Sequence, residues 1–379
     1  MDLPEQQPLN MDTLSGRLLT LIALSGELPA AQVGRLPYAD SYKQFTVKAL
    51  KRAGMIRPYS RDDLRGLRLT ASGKDLLAFS EAEKFDAFFS GCTATNAPKY
   101  SIAHRLRLHR MAEVLVTMLN ANVAVLPWEK PDVFAPVPPH GLTCLDQPAY
   151  YSSREVKELG EQAVKVRGSR STGVLLADGG IFIVYNTGAG QMKWEYKAEM
   201  RLKALLEMEL CQTRLKAQYR CVKQSAIVFA ADMSQLAPLM GVGGGKRHNY
   251  FALDGGIEHI YFLTNDHYGE VVLQLLCYPD ERAVLDGILS QDLAPPRVNW
   301  LMENDAMSGQ DPVLFAYTCD MPRIRRFNTA LERTGRTGTL YCFDFQKDAM
   351  RQVCGPTVLI RHIDFEAYER SVFLSPENS

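Results

Sequence analysis

Two stretches, "ALKRAGMI" (49–56) and "LRLTASGKDLL" (67–77), decide how the first part of this 379-residue chain reads. In the first, Leu50 and the preceding Val47 are inward positions of a helix, Gly54 ends it, and Met55 and Ile56 begin a strand. The second is a strand that turns back into a helix, with Thr70 or Ser72 near the helix start. Upstream, "LSGRLLTLIAL" (14–24) has apolar positions at helical spacing. "GELPAAQVGRL" (26–36) reads as a turn and a short helix with Pro29 near its start, and "ADSYKQFTVKALKRAGMI" (39–56) holds a third helix. "IRPY" (56–59) and "LRLTASG" (67–73) are strands around the tip "SRDDLRG" (60–66).

Helix, helix, helix, strand, tip, strand is the order of a winged helix-turn-helix, and the chain closely resembles that superfamily at the two stretches quoted. The resemblance implies that the third helix enters the major groove of double-stranded DNA. Ser41, Lys43, Gln44 and Lys48 are then expected on its outer face, and Arg61 and Arg65 on the wing. Lys51, Arg52, Arg57 and Arg68 complete the candidate surface. From Arg35 to Lys74, ten basic residues face only Asp40, Asp62 and Asp63, in a chain whose 43 Lys and Arg balance 43 Asp and Glu. A local positive excess in a neutral chain is an electrostatic footprint for phosphate. The alternative is a solvated basic face, and Asp62 and Asp63 at the tip count against the wing.

Composition sets the wider limits. Apolar residues make up 46% and charged residues 23%, as in soluble globular proteins. No apolar run reaches the ~18 residues of a membrane helix. The opening "MDLPEQQPLNMD" lacks the apolar core of a signal peptide. Eight cysteines, at 92, 144, 211, 221, 277, 319, 342 and 354, form no CxxC pair. They read as reduced core thiols, and a cytoplasmic location follows.

"YSIAHRLRLHRMAEVLVTMLNANVAVL" (100–126) reads as a long amphipathic helix whose first half carries His104, Arg105, Arg107, His109 and Arg110. Those residues either extend the DNA-facing surface or form a solvated helix face. An i,i+5 spacing does not align His104 and His109 as metal ligands. "LPWEKPDVFAPVPPHG" (126–141) cannot continue a helix and reads as an extended linker or irregular loop. The expected organisation is a winged-helix domain over 12–80, a helical connector with a Pro-rich linker over 81–149, and an α/β domain over 150–373. The fold class is α/β, α+β for the whole chain.

In that last part "SSREVKELGEQAV" (152–164) reads as a helix capped by Ser152 or Ser153. "TGVLLAD" and "GIFIVYNTG" are strands joined at Asp178-Gly179-Gly180, and "MKWEYKAEMRLKALL" (192–206) becomes helical. Strands and helices alternate from there to "TVLIRHIDF" (357–365).

Glu195-x-Lys197 has the spacing of the catalytic strand of restriction-endonuclease-like nucleases. There, carboxylates hold a divalent metal and the Lys orients the attacking water. Two registers are open. In one, Asp178, Glu195 and Lys197 form the site, with Glu155 or Glu158 from the preceding helix. However, the strand Ile181–Tyr185 intervenes, and on a helix two residues apart means about 200° around the axis. In the other, preferred register, "TGVLLADGGIFIVYNTG" is itself the catalytic hairpin. The metal carboxylate then belongs near Ser171 or Thr172 and the Glu-x-Lys pair near Val184 and Asn186, and none of these positions is acidic.

Together the two halves resemble the replication-relaxation family of plasmids and conjugative elements over roughly residues 14–210. The resemblance is carried by the winged-helix stretches, by "STGVLLADGGIFIVYNTG" and by "YKAEMRLKALL". It implies a winged helix joined to a restriction-endonuclease-like domain that works on mobile-element DNA. The family's Pro-Asp and Glu-x-Asp are absent from the matching positions.

Two further stretches attract phosphate readings. "MGVGGGKRHNY" (240–250) departs from the P-loop at Met240 and Arg247; Gly243–Gly245 with Lys246 and Arg247 are either a second contact to a phosphate or DNA strand or a plain basic loop. "DMPRIRRFNTALERTG" (320–335) presents Arg323, Arg325, Arg326 and Arg333 either to an acidic partner or to solvent.

The resulting expectation is a non-catalytic DNA-binding accessory or regulatory protein of a mobile element, with double-stranded DNA as partner, no membrane and no cofactor. One alternative is a metal-dependent nuclease that uses Mg²⁺ at Asp178, Glu195 and Lys197. Another is an interaction module that recruits replication or transfer proteins.

Overall fold

The computed structural model describes residues 8–89, 101–137, 139–156, 168–191, 193–241, 250–251, 253, 255–297, 300 and 302–373. The chain divides into two compact units. One takes Met1–Asn186 and Arg201–Val222, the other Thr187–Met200 and Lys223–Ser379.

The first unit opens with α1 (Leu14–Ser25), β1 (Leu28–Pro29), α2 (Ala30–Arg35), α3 (Asp40–Arg52), β2 (Ile56–Arg61), β3 (Leu64–Leu69) and α4 (Ala71–Ser80). This is the expected order with one addition. Leu28–Pro29, read as a turn, pairs with β3, so the sheet is antiparallel and three-stranded in the order β1-β3-β2. Thr13 caps α1 by accepting from the Gly16 N–H at 3.2 Å, and Gly26 closes the helix in the left-handed region. Leu18, Leu19, Leu21, Ile22 and Leu24 are all within 1% of full burial, which makes α1 the centre of the core.

The two quoted stretches meet in space. Gly54, at φ 69°, ends α3 with paired bonds from Gly54 N to Lys51 O and from Met55 N to Leu50 O. This is the Schellman closure that glycine allows. Thr70 then caps α4 by accepting from Gly73 N (3.1 Å) while its hydroxyl donates to Gly54 O (2.5 Å). A Cβ on Gly73 would crowd the Met55 carbonyl, so glycine is required for this approach. At the β2–β3 tip Asp62 and Asp63 both have positive φ, 52° and 61°, with Arg61 paired to Leu64 across the turn. Asp tolerates that region, and two left-handed residues match the twist of a two-residue hairpin. The two acids are explained as turn formers.

After α5 (Ala82–Phe89), α6 (Ile102–Asn120) packs on α1 and β1. It ends at Asn120, earlier than the sequence suggested. Among the described residues, 121–148 hold no helix or strand, as expected of a Pro-rich stretch. That stretch is nevertheless packed: Leu126, Val133 and Phe134 have no exposure, and buried Lys130 pairs with Glu155 at 2.7 Å.

β4 (Ala149–Ser152), β5 (Gly173–Ala177) and β6 (Gly180–Gly188) follow as an antiparallel meander. Ala177 pairs with Gly180, so Asp178-Gly179 is the predicted turn. The helix expected over 152–164 does not begin at Ser152: Ser152 ends β4, paired with Gly173, and 153–155 form a turn, although Ser152 Oγ accepts from Glu155 N (3.4 Å) and Glu155 Oε2 from Ser152 N (2.7 Å) as in a helix cap. Residues 157–167, including Glu158, lie outside the described residues. Arg154 donates to Ala23 O (2.9 Å) and Phe88 O (3.0 Å), which ties this segment to the ends of α1 and α5. α7 (Tyr196–Leu206) runs into a π-helical segment, Glu207–Arg214, and then α8 (Lys216–Tyr219).

The second unit contains β7 (Gln224–Ala230), α9 (Leu236–Leu239) and β8 (Ile260–Thr264), with β7 and β8 parallel. α10 (His267–Cys277), capped by Asp266, and α11 (Pro279–Ser290) come next. The chain continues through β9 (Ala306–Ser308), β10 (Asp311–Phe315), α12 (Met321–Thr334), β11 (Gly338–Phe343), α13 (Lys347–Val353), β12 (Val358–Ile363) and α14 (Phe365–Phe373). The order β12-β11-β10-β9 is parallel except for β9. The protein is thus a mixed α/β chain with several sheets. Among the described cysteines, Cys211, Cys277, Cys319 and Cys342 are buried, whereas Cys144 and Cys221 are exposed, contrary to a purely core role. No helix among the described residues is long and apolar enough to cross a membrane.

Candidate nucleic-acid interface

α3 is amphipathic, and its burial shows which side faces solvent. Lys43, Thr46 and Leu50 are buried and Val47 is half-buried. At ~100° per residue the opposite side is the stripe Ser41, Phe45, Lys48 and Arg52. All four are exposed, Phe45 to 68%. Gln44 and Lys51 flank the stripe on one side and Tyr42 on the other, all three exposed. The sequence reading missed Phe45. The available signal was its i+4 and i−3 spacing from Ser41 and Lys48.

Two residues assigned to the interface do not reach it. Lys43 is 6% exposed; its Nζ donates to Gly34 O (2.6 Å) and Leu36 O (3.2 Å) and pairs with Asp40 (2.9 Å). It holds the α2–α3 turn together. Arg68 is buried on Glu27, with Nε and Nη2 at 2.8 and 2.5 Å from Oε2.

Glu27 is the hub of a buried ion cluster. Arg105 Nη2 stands 2.6 Å and His109 Nε2 2.8 Å from Glu27 Oε1. Arg105 also donates to Arg61 O (2.7 Å) and Leu64 O (3.0 Å), so α6 braces the two strands beside the β2–β3 tip. The Tyr59 ring lies under both guanidiniums, 3.8 Å from Arg68 Cζ and 4.6 Å from Arg105 Cζ. Burial works against the Glu27 charge. Hydrogen bonds from His109, Arg105 and Arg68 outweigh it and hold the carboxyl at about 2, below its ordinary 4.5. Arg105 and His109 therefore do not extend a DNA-facing surface, although Arg107 stays exposed.

What remains exposed is still strongly basic: Lys48, Lys51 and Arg52 on α3, Arg57, Arg61 and Arg65 on the hairpin, and Lys74 on α4. Arg61 pairs with Asp62 at 3.3 Å. Among the described residues, Lys48, Lys51, Arg52, Arg57 and Arg65 enter no ion pair.

The nuclease positions fare differently. Asp178 is exposed at the β5–β6 turn, in the first unit; Glu195 and Lys197 are exposed in the second. The Glu195 carbonyl accepts from Ala198 N and Glu199 N, so Glu195 precedes the first turn of α7 and Lys197 lies within it. Glu155 is engaged with Lys130. In the other register Thr172 N does bond to Val184 O at 2.8 Å, and Ser171, Thr172, Val184 and Asn186 are all buried. Asn186 Nδ2 donates to Glu113 Oε2 (2.9 Å) and Arg110 O (3.0 Å), an α6 contact the sequence did not reveal. Among the described residues no group of three or more His, Cys, Asp or Glu could hold a metal ion.

Lys246 and Arg247 lie outside the described residues. On α12, Arg323 pairs with Asp305 (2.6 Å) and Glu303 (3.2 Å), and Arg326 with Glu303 (2.7 Å), so half of that basic run is internally compensated. At the start of α12, His259 Nδ1 lies 2.7 Å from Asp320 Oδ2, and that bond raises the imidazole above its ordinary 6.5.

No protein-family model, curated protein or solved structure matches the chain.

Proposed function

We propose that this chain binds duplex DNA through a winged helix formed by its first eighty residues. The observation that carries the reading is the exposed face of α3, where Lys48 and Arg52 line up with Ser41 and Phe45 opposite the buried core positions, beside the basic hairpin of Arg57, Arg61 and Arg65. A helix of this width fits the major groove, and cations on a neighbouring hairpin fit the flanking phosphates. The bracing of the hairpin by Arg105 supports it, because a held wing loses less freedom on binding.

The sequence resemblance extends the proposal to a non-catalytic accessory or regulatory role in replication, relaxation or transfer of a mobile element. In that reading the β5–β6 hairpin belongs to a restriction-endonuclease-like domain without its acids. A mobility shift on random duplex tests binding: complex is expected at low salt and should weaken steeply as salt rises. No shift at low salt would sink the proposal. Supercoiled plasmid with Mg²⁺ or Mn²⁺ tests the nuclease alternative. The plasmid should stay intact, and nicking abolished by Glu195→Ala would overturn the non-catalytic reading.

A further inference from the structure

Phosphate binding accounts for the cations on α3 but not for Phe45. Its ring is 68% exposed at the middle of the outward stripe, one turn from both Ser41 and Lys48. Left in water, the ring contributes nothing to the hydrophobic core.

We propose that Phe45 reads a base, packing on the C5-methyl of a thymine in the major groove so that the protein selects T·A at that step. The inference rests on the DNA-binding reading. Lys48 and Arg52, one and two turns beyond Phe45 on the same stripe, are complementary to phosphate, and a helix seated on the backbone by them turns the ring toward the groove. In that groove the thymine methyl is the apolar group that distinguishes one base pair from another. The surface is a poor match for a protein partner. Its large apolar side chains are Phe45 and Tyr42, the latter 43% exposed and turned against Tyr38 with ring centroids 6.2 Å apart. Stable protein interfaces bury far more than two such rings provide.

The experiment uses the full chain. Duplexes are selected from a random pool, and affinities are then measured for the selected duplex and for copies with each thymine replaced in turn by uracil, which removes only the methyl. Loss of one buried methyl corresponds to about a fourfold weakening at one position. Phe45→Ala should bind the thymine duplex about fourfold more weakly and no longer distinguish uracil. Phe45→Leu should retain the distinction, and Lys48→Ala should keep it while weakening every duplex alike. Because Phe45 is exposed, unchanged melting temperatures are expected for its variants.

A wild-type chain that selects a sequence yet ignores every uracil would overturn this inference and leave DNA binding standing. A chain that enriches no duplex at low salt would overturn both. Self-association of the wild type that Phe45→Ala abolishes would assign the ring to a contact between copies instead, and would also overturn it.

Discussion

Arg105 Nη2 and Glu27 Oε1 lie 2.6 Å apart with no exposure on either side chain, although 78 residues separate them in sequence. Around that contact Arg68 and His109 complete a cluster in which one carboxylate faces two guanidiniums and an imidazole. Removing the carboxylate leaves buried charge uncompensated. Glu27→Gln is expected to cost about 3–5 kcal/mol, measured by denaturant unfolding. The pH dependence has a definite sign. The folded Glu27 carboxyl sits at about 2 against 4.5 ordinarily, so its contribution is complete above about pH 5 and is lost as pH falls toward 2. That contribution is about 3 kcal/mol and should disappear from acid unfolding curves of Glu27→Gln.

Gly66 passes directly over the same carboxylate. A Cβ there would stand 2.6 Å from Glu27 Cγ and closer to Oε1. Gly66→Ala should therefore push Glu27 Oε1 away from Arg105 and His109 and destabilise by about 2–3 kcal/mol through the disturbed pairs. A melting temperature equal to wild type would show that the cluster yields without cost.

Lys43 and Lys48 stand five residues apart on α3, yet opposite effects are expected of them. Lys48→Ala should leave stability alone and reduce the salt slope of DNA binding by about one. Lys43→Ala should lower the melting temperature, because the Gly34 and Leu36 carbonyls lose a charged donor worth about 1.5–3 kcal/mol, and should leave the slope unchanged. Salt titrations of both variants decide this.

His259 should titrate above 6.5 in the folded protein, because its hydrogen bond to Asp320 favours the imidazolium. The stabilisation is present at low pH and fades as pH rises through the raised folded value. In Asp320→Asn the ring should titrate lower, as followed by the His259 imidazole NMR signals. An unchanged value would remove Asp320 as the cause.

Much of the local structure was legible because its causes sit within a few residues. Gly54 ends α3, Thr70 starts α4, and Asp178-Gly179 turns the β5–β6 hairpin, each through contacts that neighbouring residues specify. Locality told only part of the story at Ser152. Its hydroxyl does accept from Glu155 N as a cap would, but strand pairing with Gly173, which no local pattern announces, also makes it the last residue of a sheet strand.

The sequence by itself determined the element order of the first eighty residues apart from β1, the α/β alternation that follows and the concentration of positive charge between Arg35 and Lys74. Only the tertiary structure decided which of those charges are available. Lys43 is taken by carbonyls 7 and 9 residues away, Arg68 by a carboxylate 41 residues away, and Arg105 by the same carboxylate 78 residues away. Charge can be counted along a chain, but desolvation and pairing depend on which distant groups the fold brings within about 3 Å. For the same reason Phe45, to which the sequence assigned no role, stands in solvent on the helix face left open by the packing of Lys43, Thr46 and Leu50.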